Sequence, residues 1–341
     1  MKQPILGVTM GDPAGVGPEI VARAAAEPAV RRDSRPVVIG AAATMHAALT
    51  LVSSPLSVHA VKRVTDCRWA DGTLEVLDLA NVDMQTLPRA AVSAAAGRAA
   101  YDYVERAVAL AQAREIHGIV TAPINKEALA AAGMQHTGHT EILARLSDTA
   151  DFAMLLMGHE LRVIHVTTHV ALRRVPDLVT RERVLKTIRL AQRTMEGLGR
   201  RDARMAVAGL NPHAGEDGLF GDEEKTAIVP AIEAARAEGM RVVGPLPADT
   251  LFSRARGGEF DIVVAMYHDQ GHIPVKTVGF TYDEASRRWT GLSGVNVTVG
   301  LPFLRVSVDH GTAFDRAWKG IANPESMIEA IDVAVRMLAA T

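Results

Sequence analysis

Residues 261–276 read DIVVAMYHDQGHIPVK and place two histidines, an aspartate and a lysine within nine positions, 268–276. The run from Ile262 to Met266 has the length and composition of a buried strand. His268, Asp269, Gln270, Gly271, His272 and Lys276 follow at its end. Imidazole and carboxylate at the end of a buried strand are what a proton-transfer or metal site requires. Ligands of open α/β sheets also collect at the carboxyl ends of strands. A strand followed by a polar turn is the plainer alternative, and the density of ionisable groups weighs against it. Two further apolar runs approach a histidine in the same way. Leu161–Thr168 is followed by His169, and Arg204–Leu210 by NPHAGEDGLFGDEE, which contains His213. Neutral imidazoles from separate strands are a common means of binding Zn²⁺ or a similar divalent ion.

A second set of residues suits an anion. Thr121, Asn125 and Lys126 fall at the end of the apolar run Ile116–Ala122. His136, His139, Thr140 and Glu141 fall at a helix start, where free backbone N–H groups favour negative charge. The alternative for Thr140 is a cap on a helix Ile142–Leu146. Near the N-terminus, GDPAGVGPEIVARAAAE reads as a tight glycine loop opening a helix, with Pro18 and Glu19 in its first turn. Its spacing matches neither GxGxxG nor GxxxxGK[ST], so a phosphate cradle and a turn required by packing stand side by side.

The elements that must carry these groups alternate. Strand-like runs at Pro4–Met10, Pro36–Gly40, Ser57–Val61, Leu74–Leu79 and Ile116–Ala122 are interleaved with helical stretches at Ala41–Leu51 and Ala91–Glu115. A helix over Thr180–Leu198 follows the run before His169. This weave predicts an α/β protein with a mostly parallel sheet and helices on both faces. At 341 residues the chain has room for two such domains. Hydrophobic residues make up 48% and charged residues 22%, a soluble globular balance. A net charge of −2, with no Lys/Arg run longer than two, gives no footprint for nucleic acid. No apolar run reaches the roughly 18–20 residues of a membrane span. The opening MKQPILGVTMGDP reads as a first strand rather than a signal peptide, and the cytoplasm is the expected compartment. The single cysteine, Cys67, excludes an intrachain disulfide framework.

Taken together, several blocks resemble the 4-hydroxythreonine-4-phosphate dehydrogenase (PdxA) family. They are GDPAGVGPEI at 11–20, TAPINKEAL at 121–129, GHTE at 138–141, TTH at 167–169, NPHAGEDGLFGDEE at 211–224, GPLPADT at 244–250, MYHDQGHIPVK at 266–276 and VNVTVGLPFLRVSVDHGTAFD at 295–315. The resemblance implies two α/β/α domains of the isocitrate/isopropylmalate dehydrogenase type, with the active site in the interdomain cleft. A first domain would comprise 1–125 plus 275–341 and carry the NAD-binding tail. A second, 126–274, would carry metal and dimer contacts. It implies one divalent metal (Zn, Mg or Co) held by His169, His213 and His268, in a homodimer that shares ligands between subunits. Substrate-binding positions map onto His139, Thr140, Lys276, Asn296 and Arg305, while Asp249 and Asp269 would hold water or orient groups near the metal. The tail HGTAFDRAWKGIANP at 310–324 also resembles the HGSAPDIAGKGIANP segment of isopropylmalate dehydrogenases. By that match His310, Gly311 and Thr312 would line an adenine pocket, Asp315 would meet the ribose and Asn323 the base. An acid at the ribose favours NAD over NADP. Trp318 stands where a glycine is usual.

The implied activity is oxidation of a phosphorylated 3-hydroxy acid by NAD⁺ followed by loss of CO₂. Lys276 and Arg305 supply positive charge for carboxylate or phosphate. Lys276 and a metal-bound water are both candidates for the general base. The substrate is either 4-phosphooxy-L-threonine, the pyridoxine-biosynthesis substrate, or 4-phospho-D-threonate or -erythronate. The stretch TVGFTYDEASRRWTGLSGV, with DQGHIP and RAWKGIANP, leans toward the phosphothreonate branch, and 281–294 has the polarity of a surface hairpin. Two other functions remain to be weighed: a phosphate acyltransferase on a related fold without metal or NAD, and a non-catalytic anion sensor.

Overall fold

The structure is a computed structural model that describes residues 3–134, 138–158, 161–284, 288–292 and 294–339. The chain forms two compact units, Met1–Asp151 with Leu301–Ala339, and Phe152–Gly300.

The first unit is built on β1 (Ile5–Thr9), β2 (Arg35–Gly40), β3 (Ser57–Val61), β4 (Thr73–Asp78) and β5 (Gly118–Thr121). They form a parallel sheet in the order β3-β4-β2-β1-β5. A late strand of the chain, Leu304–Val308, completes it by pairing parallel with β5. Runs such as VVIG and GIV are apolar throughout because both sheet faces are covered. Helix Ala94–Gln112, capped by the Ser93 hydroxyl on Ala96 N, lies on β1, β2 and β5. Helices Lys126–Ala131 and His139–Leu146 pack onto it. A second group, Gly17–Ala26, Ala42–Leu51 and Glu325–Ala339, covers the sheet through the last helix, which packs on Leu304–Val308 and β5.

The second unit contains β6 (Ala153–Met157), β7 (Arg162–His165), β8 (Met205–Ala208), β9 (Val242–Leu246), β10 (Ile262–Ala265), β11 (Phe280–Asp283), β12 (Arg288–Leu292) and β13 (Val295–Val299); Leu304–Val308 is β14. Its sheet runs β13-β6-β7-β10-β8-β9. The β13–β6 and β6–β7 pairings are antiparallel and the rest parallel. The strands β11 and β12 form a separate antiparallel pair, as a hairpin over 281–294 requires. Residues 285–287 and 293 of that stretch lie outside the described residues.

The division differs from the boundaries at 125/126 and 274/275. Residues 126–151 go with the first unit because their helices pack on Ala94–Gln112. Residues 275–300 go with the second because β13 hydrogen-bonds to β6. No helix among the described residues is long and apolar enough to cross a membrane.

Candidate active site

In the first unit the strand order turns at β1, with β2 on one side and β5 on the other. Binding residues of doubly wound sheets gather at the carboxyl ends of such a pair. The strand β14 sends Arg305 there. Its side chain is buried, and Nη2 donates to Thr121 Oγ1 at 2.8 Å. Burial pulls its pKa down to about 9, so the guanidinium remains charged at neutral pH. His139 opens helix His139–Leu146 after Gly138. Part of the residue is exposed, but Nε2 is buried without a hydrogen-bond partner among the described residues. Burial first, and the nearby Arg305 charge second, hold its pKa well below the ordinary value, so the ring is neutral. Thr140 lies inside the first helical turn rather than capping it. A buried cation beside a neutral imidazole and a helix start suits a carboxylate or phosphate. His136 lies outside the described residues.

The glycine loop serves the tail segment. Val16 N donates to Thr312 O at 3.0 Å, and Trp318 Nε1 donates to Pro13 O at 3.0 Å. A methyl on Gly15 would come within 2.9 Å of Thr312 Cβ, which explains a glycine there by packing. Of the proposed dinucleotide positions, Thr312 is buried and Asn125 Nδ2 reaches its hydroxyl at 3.5 Å. Asn323 caps the last helix, its Oδ1 accepting from Glu325 N at 2.9 Å. These two shape the segment. Two others are open to a ligand, and His310 is half-buried. A methyl on Gly311 would meet nothing within 4 Å, while His310 Nδ1 stands 3.0 Å from Gly311 O and burial lowers its pKa. Asp315 exposes its carboxylate, which stands 3.5 Å from Arg316 Nε. Such a set fits a dinucleotide in its donor and acceptor chemistry.

In the second unit the three histidines sit beyond the strand ends. The strand β7 ends at His165, so His169 lies four residues further, and β8 ends five residues before His213. His268 opens helix His268–Gly279. The His169 and His268 rings lie 5.5 Å apart and share a pocket of about 290 Å³ with Thr168, Leu172 and Tyr267. His268 Nδ1 is 2.7 Å from Asp269 Oδ1. A carboxylate at Nδ1 leaves Nε2 as the nitrogen that a metal could take. Two histidines outside the mapped set join this group. His272 stacks on His268 at 3.7 Å and 9°, and His165 stands 4.8 Å from His272. Burial pulls their pKa values down, to about 2 for His272 and about 4 for His165, so both rings are neutral.

His213 sits elsewhere, beside Phe220 in the turn Pro212–Gly218. Its backbone and those of Ala214, Gly215, Glu216 and Asp217 are all left-handed, with φ of 54°, 55°, 84°, 43° and 54°. Glu224, buried, braces the loop by accepting from Leu210 N, Asn211 N and Asn211 Nδ2 at 2.8–2.9 Å. Among the described residues of one chain, no three His, Cys, Asp or Glu side chains converge as a metal cage. The donor chemistry of His169 and His268 fits a divalent ion, and a third imidazole is needed to complete it. Asp249, in the first turn of helix Ala248–Arg256, shares a pocket of about 460 Å³ with Tyr267 and Asp269. Lys276 lies on the same helix as His268, its Nζ 5.4 Å from the Phe280 ring. Asn296 lies on β13 opposite Leu156.

A family model described as pyridoxal phosphate biosynthetic protein PdxA matches residues 32–334. The chain belongs to the PdxA family. It is 49% identical over 329 residues to a D-threonate 4-phosphate dehydrogenase of Cupriavidus necator, covering 96% of this chain and 95% of that one. It is 48% identical to a D-threonate 4-phosphate dehydrogenase of Pectobacterium atrosepticum, covering 98% and 99%. Among solved structures, 4-hydroxythreonine-4-phosphate dehydrogenase from Klebsiella pneumoniae is similar, with a TM-score of 0.86 at 44% identity, covering 98% of this chain and all of that one.

The residues mapped as metal ligands left out His165 and His272, which the structure groups with His268. His272 was already counted in the 268–276 block, and only the helix at 268 stacks it on His268.

Proposed function

We propose that this PdxA-family enzyme is an NAD- and divalent-metal-dependent dehydrogenase of 4-phospho-D-threonate, oxidising the C3 alcohol and releasing CO₂. The observation that carries the reading is the buried, charged Arg305 beside neutral His139 at the strand-order reversal of the first unit. The D-threonate 4-phosphate dehydrogenases, near 48% identical over their full length, support the phosphothreonate branch.

In this reading Arg305 clamps an anionic end of the substrate, with His139 and Thr140 alongside. His169, His268 and a His213 contributed across a homodimer would hold the metal. Bound there, it would acidify the alcohol and stabilise negative charge on the oxygen as hydride leaves. Asp269 keeps His268 in one tautomer. Lys276 is the chain's own candidate to take the hydroxyl proton, and Asn296 to fix the substrate's orientation. Asp249 would order water in the pocket it shares with Asp269. His310, Gly311 and Asp315 would receive the adenosine end of NAD, on a segment shaped by Thr312 and Asn323.

The test is NADH formation by metal-loaded protein with 4-phospho-D-threonate and 4-phosphooxy-L-threonine side by side. Preference for the phosphothreonate is expected. Preference for the amino acid would overturn the substrate assignment, and turnover of neither would overturn the dehydrogenase assignment.

A further inference from the structure

The sheet of the first unit carries a row of hydroxyls that the reaction above does not use. In its register Thr9 stands opposite Thr121, and Ser307 stands opposite Thr121 from the other side. Three adjacent parallel strands therefore present hydroxyl residues side by side at their carboxyl ends, about 4.8 Å apart. All three are buried, Thr9 and Thr121 at 0% exposure and Ser307 at 5%. Arg305 precedes Ser307 by two residues on β14, so it projects from the same face. Its Nη2 meets the middle hydroxyl, Thr121 Oγ1, at 2.8 Å.

A guanidinium has a rigid planar fork on a flexible stem, and its value for a bidentate anion depends on the fork being held at one angle. Thr121 is suited to hold it. It is β-branched, hence stiff at χ1, and sits on a strand flanked by β1 and β14. We propose that Thr121 is a positioning residue for substrate binding, its hydroxyl fixing the plane in which Arg305 meets the anion. This rests on the assignment of Arg305 as the anion-binding group.

The test compares Thr121→Val, which keeps the shape and removes the hydroxyl, with Thr121→Ser, which keeps the hydroxyl. For T121V the substrate KM rises about tenfold, as expected for a lost hydrogen bond to a charged group, while kcat and the dinucleotide KM change far less. The protection that inorganic phosphate gives against thermal unfolding weakens in the same variant, and T121S restores both. Wild-type KM and wild-type phosphate protection in T121V would overturn the role of Thr121, as would failure of T121S to restore them. Wild-type enzyme that neither binds phosphate nor turns over substrate would instead remove the anion role of Arg305, and this inference with it. Should T121V not fold, Thr121→Ala deletes the same hydroxyl with less crowding and carries the same reading.

Discussion

Replacing Asp12 by asparagine changes one charge at a position the fold keeps fully buried. Oδ1 of Asp12 accepts from Ala14 N at 2.8 Å, and Oδ2 has no hydrogen-bond partner among the described residues. Burial pushes the pKa of this carboxyl up to about 6, against two backbone hydrogen bonds that pull it down. An acid with a folded pKa above its unfolded value binds its proton more tightly in the folded state. Between about pH 4 and pH 6 the folded protein therefore holds the extra proton, and stability falls as pH rises through that window. With about 1.36 kcal/mol for each unit and a rise of about two units, the loss is on the order of 3 kcal/mol, complete above the window. Asparagine retains the Oδ1 acceptor and does not titrate. Asp12→Asn should match the wild type near pH 4 and exceed it by up to about 3 kcal/mol at pH 7.5. Urea unfolding of both proteins at several pH values reads the difference, in which groups common to both cancel. Parallel curves, or a variant weaker by the same amount at every pH, would refute a buried carboxyl that the fold prefers protonated.

Two further outcomes follow from the second unit. Gly271→Ala puts a methyl 2.6 Å from Val163 Cγ1 and against the His165 ring, inside the helix that carries His268, His272 and Lys276. Overpacking there should cost about 1–3 kcal/mol and weaken metal binding, and an unchanged melting temperature would show that the helix has room to give. His213→Ala should lose bound metal and turnover while its far-ultraviolet circular dichroism stays that of the wild type. A variant that is metal-free yet active would remove His213 from the mechanism.

Much of the architecture was legible because strands buried on both faces leave unbroken apolar runs, as at 37–39 and 118–120. Strand direction was not. AMLLM at 153–157 is apolar throughout, and nothing in such a run distinguishes the antiparallel β6 from a parallel strand. The unit boundary was hidden for a related reason, since the pairing of β13 with β6 and the packing of helix His268–Gly279 on β7 assign 275–300 to the second unit. Residue types identified Arg305 and His268 through the blocks around them. They could not give the hydrogen bond from Arg305 to Thr121, which joins positions 184 residues apart. The apolar runs before the histidines were read as continuing nearly to them, whereas β7 and β8 end four and five residues short.

Four residues with side chains, His213, Ala214, Glu216 and Asp217, adopt the left-handed conformation. Each such residue costs roughly 1–2 kcal/mol. The Glu224 bonds and the contact of Lys225 with Asp217 O help hold the turn against that cost. Glycines would relieve the strain, but they would also let the segment sample many shapes before any ligand arrived. With side chains at these positions few alternatives survive, so any ligand that took the imidazole would find little freedom left to lose. What the fold supplies at His213 is an imidazole on a stiff arm.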